Sequence, residues 1–260
     1  MGKEVSRVNI FKEIVQKHKN GVVYVFVDRI EGKKSFGTGF VIRNNLILTA
    51  SHIFSLSDFL DERKILSEQQ KEDNKTNMEE IIRGFIKDIK IKADGTFYNG
   101  NLVYFDSEYD FSILETKFNG KPLLLNLNPK LELGEEVAFC GYPVRHNFSP
   151  DTSPFTVSGG IISSLYNAKL IGSKEVDAIQ VSAVSLSGYS GAPLFLKNTG
   201  EIIGMMTSNI TTNLDMPVYG KNSQEGSEKI EIKGLKKVKI PVAGIGNGIP
   251  LKYLKDFFNK

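Results

Sequence analysis

The chain has 260 residues, 40 % of them hydrophobic and 24 % charged, enough for one large domain or two halves that share an interface, with no metal or disulfide staple needed. Its formal net charge of +3 is spread over many Lys, Asp and Glu without a basic block long enough to track a phosphate backbone, which excludes nucleic acid as an expected partner. Every apolar run is short and broken by charge or glycine, which excludes a membrane-spanning helix, and the single cysteine, Cys140, excludes an intrachain disulfide.

From the start of the chain, Ser6 to Lys19 place Val8, Phe11, Ile14 and Val15 on one face, which predicts a short N-terminal helix within residues 1–20, stopped by Asn20-Gly21. This opening lacks the apolar core and cleavage site of a secretory signal, so a cytoplasmic, reducing location is expected. The pattern then becomes that of an all-β protein. Val22 to Val27, Gly39 to Ile42, Leu46 to Thr49, Leu102 to Phe105, Phe111 to Leu114 and Glu136 to Cys140 are brief β-branched and aromatic runs bounded by Gly, Asn, Asp or Pro. Between them, 57–90 is highly charged and carries Ile81, Ile82, Phe85, Ile86 and Ile89 at helical spacing, which predicts a helical insertion. Strands resume at Gly159 to Ser163, Ala178 to Val184, Ala192 to Leu196, Ile202 to Thr207 and Val238 to Ile240. The polar stretch Lys221 to Lys237 reads as a long hairpin or a flexible loop, and Pro250 opens a C-terminal helix over 251–260. The simplest partition is two β units, 21–127 and 128–250, split near Asn126 to Pro129.

Acyl transfer by a serine needs a hydroxyl, an imidazole to take its proton, a carboxylate to orient the imidazole and backbone donors for the oxyanion. Of three histidines, His18 falls in the N-terminal helix, His146 in a polar loop, and only His52 closes an apolar strand, Leu48-Thr49-Ala50-Ser51-His52. Ser190 lies between glycines in Ser187-Gly188-Tyr189-Ser190-Gly191-Ala192-Pro193-Leu194, where the amides of Gly188 and Ser190 can form an oxyanion hole. Asp110 stands at the mouth of the strand Phe111-Ser112-Ile113-Leu114 and is a stronger candidate than Asp94, Asp106 or Glu108, which lie in more polar surroundings.

In this order the segments resemble the chymotrypsin-like serine peptidases, and within them the bacterial HtrA-type branch. Gly37-Thr38-Gly39-Phe40 followed by Thr49-Ala50-Ser51-His52 is similar to the family's strand pair leading to Thr-Ala-x-His, and Asp110 to Leu114 is similar to its Asp-x-Ala-x-Leu. Gly188-Tyr189-Ser190-Gly191-Ala192-Pro193-Leu194 is similar to Gly-Asn/Asp-Ser-Gly-Gly-Pro-Leu, and Gly200 to Gly204 with Gly244 to Pro250 resembles the closing strands of the second barrel. The resemblance implies two antiparallel six-stranded Greek-key β-barrels with the site in the cleft between them. In it Ser190 is the nucleophile, His52 the base and Asp110 its orienting carboxylate, with protein or peptide as substrate and no cofactor or metal.

By the same resemblance Val184, Ser185, Leu186, Thr207, Ser208 and Asn209 line the substrate pocket. Val184 stands where trypsin has its cation-binding Asp, so a small or medium apolar side chain before the cut is expected. Tyr189 replaces the Asp that pairs with a new N-terminus in trypsin, so that activation switch is not expected, and Phe111-Ser112 replaces a smaller aliphatic pair. The HtrA peptidases carry PDZ domains after the protease; here a protease domain alone is expected. Activity restrained to few substrates, or triggered by a regulatory protein acting on 57–90 or on Lys221 to Lys237, fits a peptidase with no prosegment. No oligomeric state is specified. An α/β-hydrolase order fails because no histidine follows Ser190. The rival from another class is a catalytically silent peptide-binding or scaffold protein, its oxyanion loop distorted by Tyr189.

Overall fold

Two closed antiparallel barrels, each of six strands, make up the computed structural model of the chain. It describes residues 2–30, 32–54, 83–143, 153–168, 175–224 and 227–258, by backbone alone at 2–10, 208–244 and 256. The first barrel holds β1 (Val22–Arg29), β2 (Lys34–Arg43), β3 (Leu46–Ala50), β4 (Ile86–Ala93), β5 (Thr96–Asp106) and β6 (Phe111–Thr116). The second holds β7 (Glu136–Gly141), β8 (Thr156–Ala168), β9 (Val176–Val181), β10 (Pro193–Leu196), β11 (Ile202–Gln224) and β12 (Ser227–Pro250). The two rings share one topology, β1-β2-β3-β6-β5-β4 and, read the same way, β7-β8-β9-β12-β11-β10. Closure leaves neither ring with an unpaired edge.

Side chains on a strand alternate between its two faces, and on the strands at the contact between the barrels, such as β3, β6 and β7, both faces are buried. Val23, Val25, Val41, Ile47 and Leu114 fill the first barrel, while Phe40, Leu48, Phe111 and Ile113 on the same strands face the contact between the barrels. In the second barrel Val137, Phe139 and Leu194 point inward, and Ala138, Cys140 and Phe195 point to that contact. This is why Leu46 to Thr49 and Val137 to Cys140 show no apolar-polar alternation. Burial without a partner pushes the Cys140 thiol pKa up, so it behaves as a small hydrophobe.

Part of the helical insertion expected at 57–90 is strand. Ile86 to Lys90 begin β4, which pairs with β1 and turns through Asp94-Gly95 into β5. Both turn residues have positive φ, 48° and 78°, as a two-residue hairpin of this hand requires. Apolar Ile89, Ile91 and Ala93 alternate with Lys90 and Lys92, a strand period that the helical spacing of Ile82, Phe85, Ile86 and Ile89 overlies. Residues 83–85 are helical, while 57–82 and His146 lie outside the described residues. Lys221 to Lys237 belongs to the hairpin of β11 and β12, paired from Thr211↔Pro241 out to Gln224↔Ser227.

The helix α1 (Gly2–Lys19) begins four residues before the expected Ser6. Its Phe11, Ile14 and Val15 pack on the contact between the barrels. At the other end a 3₁₀ turn, Leu251–Leu254, and α2 (Lys255–Phe258) cross back to the first barrel, where Tyr253 stacks on Tyr109 with ring centres 4.5 Å apart. Near the end of α1, buried His18 donates through Nε2 to the Gly200 carbonyl at 2.9 Å and meets Phe195 edge to face.

Burial, only partly opposed by the Gly200 bond, lowers the His18 pKa from 6.5 to about 4, with Lys17 adding to the fall. The folded chain thus binds fewer protons than the unfolded chain between these values, and stability present above pH 6.5 is lost as pH falls towards 4. The loss is expected to reach about 3 kcal/mol at pH 4. Urea unfolding at pH 7, 5.5 and 4.5 checks it, with His18→Gln expected to remove this part of the acid sensitivity.

Candidate active site

His52 lies in the 3₁₀ turn Ser51–Phe54 that ends β3, Asp110 in the turn between β5 and β6, and Ser190 in the loop before β10. The structure brings the three together at the contact between the barrels. The His52 Nδ1–H donates to Asp110 Oδ2 at 2.9 Å, and His52 Nε2 is 2.7 Å from Ser190 Oγ. With Asp110 taking the Nδ1 proton, the Nε2 lone pair faces the serine hydroxyl, which donates to it.

Asp110 is 1 % exposed, yet its carboxylate is surrounded by donors. Oδ1 accepts from the Ser51 hydroxyl at 2.9 Å and from the His52 amide at 2.8 Å, while Oδ2 also accepts from the Thr207 hydroxyl. Burial alone raises the carboxyl pKa; the charge and ring N–H of His52, the Thr207 hydroxyl and the His52 amide outweigh it and hold the group below the ordinary carboxylate value. Asp110 has φ of 58°, in the left-handed region that Asp tolerates better than most residues, and this bend turns the strand mouth so that the carboxylate faces His52.

The serine loop consists of two consecutive tight turns. The Tyr189 amide donates to Leu186 O at 3.2 Å and the Ala192 amide to Tyr189 O at 2.8 Å. The third residue of each turn is a glycine at positive φ, Gly188 at 96° and Gly191 at 87°, as in type II turns. Among the described residues neither the Gly188 nor the Ser190 amide donates to another backbone group. The Tyr189 ring is 2 % exposed and meets Phe139 edge to face inside the second barrel, away from the cleft.

Of the expected pocket residues, Val184 and Leu186 are exposed and Ser185 is buried beside Gly246. Thr207 is buried and its hydroxyl donates to Asp110, because a buried carboxylate attracts a nearby donor. The side chains of Ser208 and Asn209 lie outside what is described; their backbones pair with Asn247 and Gly246. Nothing in the sequence around Ser51 or Thr207 signals that these hydroxyls donate to Asp110. Ser112, the departure behind His52, is buried with its hydroxyl unpartnered among the described residues. Among the described residues no three His, Cys, Asp or Glu side chains are grouped so as to hold a metal ion.

The trypsin-like peptidase domain matches residues 37–205. The chain belongs to that family. Its two six-stranded barrels make it a trypsin-like peptidase domain of HtrA-like, chymotrypsin-like fold. This trypsin-like domain is 25 % identical over 224 residues to serine protease HTRA1 of Xenopus laevis, covering 82 % of the present chain and 41 % of that protein. Serine protease HTRA1 of Xenopus tropicalis has the same identity and cover, so the domain spans about two-fifths of these relatives' length. In fold it is similar to the active form of the Rv3671c protease from M. tuberculosis, with 17 % identity, TM-score 0.63, and cover of 95 % of this chain and 83 % of that one. It is equally similar to the HtrA-type protease AlgW with tripeptide, at 17 % identity and TM-score 0.64, covering 96 % of this chain and 62 % of that one.

A Cβ on Gly191 would lie 2.0 Å from the Thr38 carbonyl oxygen and 2.6 Å from Thr49 Oγ, and the residue's φ is positive. Gly191→Ala is therefore expected to lower stability by roughly 3 kcal/mol and to displace Ser190. Thermal unfolding together with loss of activity in the folded fraction checks this.

Proposed function

We propose that this domain cleaves peptide bonds through His52, Asp110 and Ser190, with the Gly188 and Ser190 amides as oxyanion donors. The observation that carries the reading is the unbroken chain from Asp110 Oδ2 through both nitrogens of His52 to Ser190 Oγ, 2.9 Å and 2.7 Å long. Ser190 Oγ attacks the scissile carbonyl carbon while His52 Nε2 takes its proton, and the carbonyl electron pair moves onto the oxygen. The oxyanion is met by the two amides, which cost no reorganisation because the turns already hold them. Collapse expels the amine, protonated by His52, and leaves an acyl-Ser190 that water hydrolyses by the same route. Asp110 remains ionised throughout, as its donors favour the charged form. The silent-scaffold reading has less support, since Tyr189 packs into the second barrel instead of pressing on the oxyanion loop. Incubation with a defined peptide library is expected to give new amino termini for the unaltered chain and none for Ser190→Ala. Asp110→Asn is expected to lower kcat by about 10⁴ with KM little changed. A library left intact by a folded chain would contradict the reading.

Exposed Val184 at the pocket, in place of an acidic residue, supports preference for a small or medium apolar side chain before the cut. Narrow or triggered activity is part of the same reading, with the β11–β12 hairpin as the described element on which a regulatory protein would act. Buried, unpaired Cys140 suits a reducing, cytoplasmic compartment. Library cleavage sites are thus expected to be few and apolar; cutting only after Arg or Lys, or extensive digestion of denatured casein without any trigger, would contradict these two assignments.

A further inference from the structure

Thr38, the middle residue of Gly37-Thr38-Gly39 on β2, is fully buried, and each of its polar groups is engaged. Its amide donates to Ser190 O at 2.8 Å, and its carbonyl accepts from Thr49 Oγ at 2.7 Å. Its hydroxyl donates to Gly188 O at 2.7 Å and accepts from the Tyr142 amide at 3.0 Å. Three of these four bonds cross from the first barrel to the second. The crossing is tight enough to demand glycines around it: a Cβ on Gly141 would lie 2.4 Å from Thr38 Oγ, and one on Gly37 would lie 2.9 Å from Ser190 O.

We propose that Thr38 is a positioning residue for the oxyanion donors, acting through its hydroxyl; this rests on the serine peptidase reading above. An amide points where its peptide plane points. The Gly188–Tyr189 plane is held at its oxygen by Thr38 Oγ and at its nitrogen by Leu186 O, and the Ser190–Gly191 plane is held at its oxygen by the Thr38 amide. The Tyr189–Ser190 plane between them, which carries the Ser190 N–H, is held at its oxygen by the Ala192 amide. Gly188 is the weak point, because a glycine rotates at little steric cost and its own N–H belongs to the one plane of this series with no bond at either end among the described residues. Pinning the Gly188 carbonyl fixes the plane that follows Gly188, so the Gly188 amide can turn only by opposed rotations about the two bonds flanking its own plane, and a swing of the whole loop tip is blocked. The Tyr142 amide in turn holds the Thr38 hydroxyl so that its proton points at Gly188 O. One side chain of the first barrel thereby orders the loop that the second barrel presents to substrate.

The backbone bond from Thr38 to Ser190 survives any substitution except proline, so Thr38→Val isolates the hydroxyl and Thr38→Ser restores it. The test is the rate of phosphonylation by a fluorophosphonate probe, whose phosphoryl oxygen occupies the oxyanion position, over a range of probe concentrations and pH, with circular dichroism giving the folded fraction. Thr38→Val is expected to lower the saturating rate about 10- to 100-fold per folded molecule, as for the partial loss of an oxyanion donor. The half-saturating concentration should stay within about twofold and the pH midpoint should not move, because Thr38 touches neither His52 nor Asp110. Thr38→Ser is expected to recover most of the rate. A valine variant that reacts at the unaltered rate, a loss that only tracks unfolding, or a serine variant no better than valine overturns the role of Thr38. If the unaltered chain itself takes no probe, the peptidase reading falls and this proposal with it, whereas an unchanged valine variant beside a reactive parent removes Thr38 alone.

Discussion

A carboxylate buried to 1 % exposure is the constraint on which the rest of this structure depends. Removing such a charge from water costs several kcal/mol unless donors replace the water, and the donors here come from both barrels. Ser51 and the His52 amide and ring belong to the first barrel; the Thr207 hydroxyl comes from the second. Satisfying Asp110 therefore requires the barrels to meet in one relative position. That same position brings Ser190 to the free nitrogen of His52.

The contact between the barrels has two kinds of interaction with different tasks. Apolar side chains such as Phe40, Leu48, Phe111, Phe195 and Met205 supply non-directional attraction, which alone would tolerate small shifts. The buried hydrogen bonds of Thr38 and Asp110 supply direction, because a slip of one barrel would leave several polar groups unpaired at once. The helix α1 and the C-terminal turn close over the same apolar contact from either end of the chain, with Phe11 and Ile14 from one and Leu251 and Leu254 from the other.

His52, Asp110 and Ser190, which meet in the structure, each sit in a distinctive local context in the sequence: a histidine ending an apolar strand, an acid at a strand mouth, a serine between glycines. The strands buried on both faces could be read as short apolar runs, though not which face met the other barrel. The strand β4 was obscured because Ile82, Phe85, Ile86 and Ile89 carry a helical spacing across the strand alternation of Ile89, Ile91 and Ala93, even though Asp94-Gly95 is a hairpin signal. The roles of Thr38 and Thr207 were not legible, because their partners lie 150 and 97 residues away and a threonine in a strand looks the same with or without them. Only the folded contact distinguishes them.

In the proposed function, closing the two barrels on Asp110 makes Ser190 a nucleophile. The most direct measurement is the mass of the intact protein after fluorophosphonate treatment, with the adduct located by peptide mapping, beside a folded His52→Ala variant. A single phosphonyl group on Ser190, absent from the variant, is the result predicted by the geometry. A folded chain that carries no adduct, or that is modified at Ser190 equally well without His52, would contradict it.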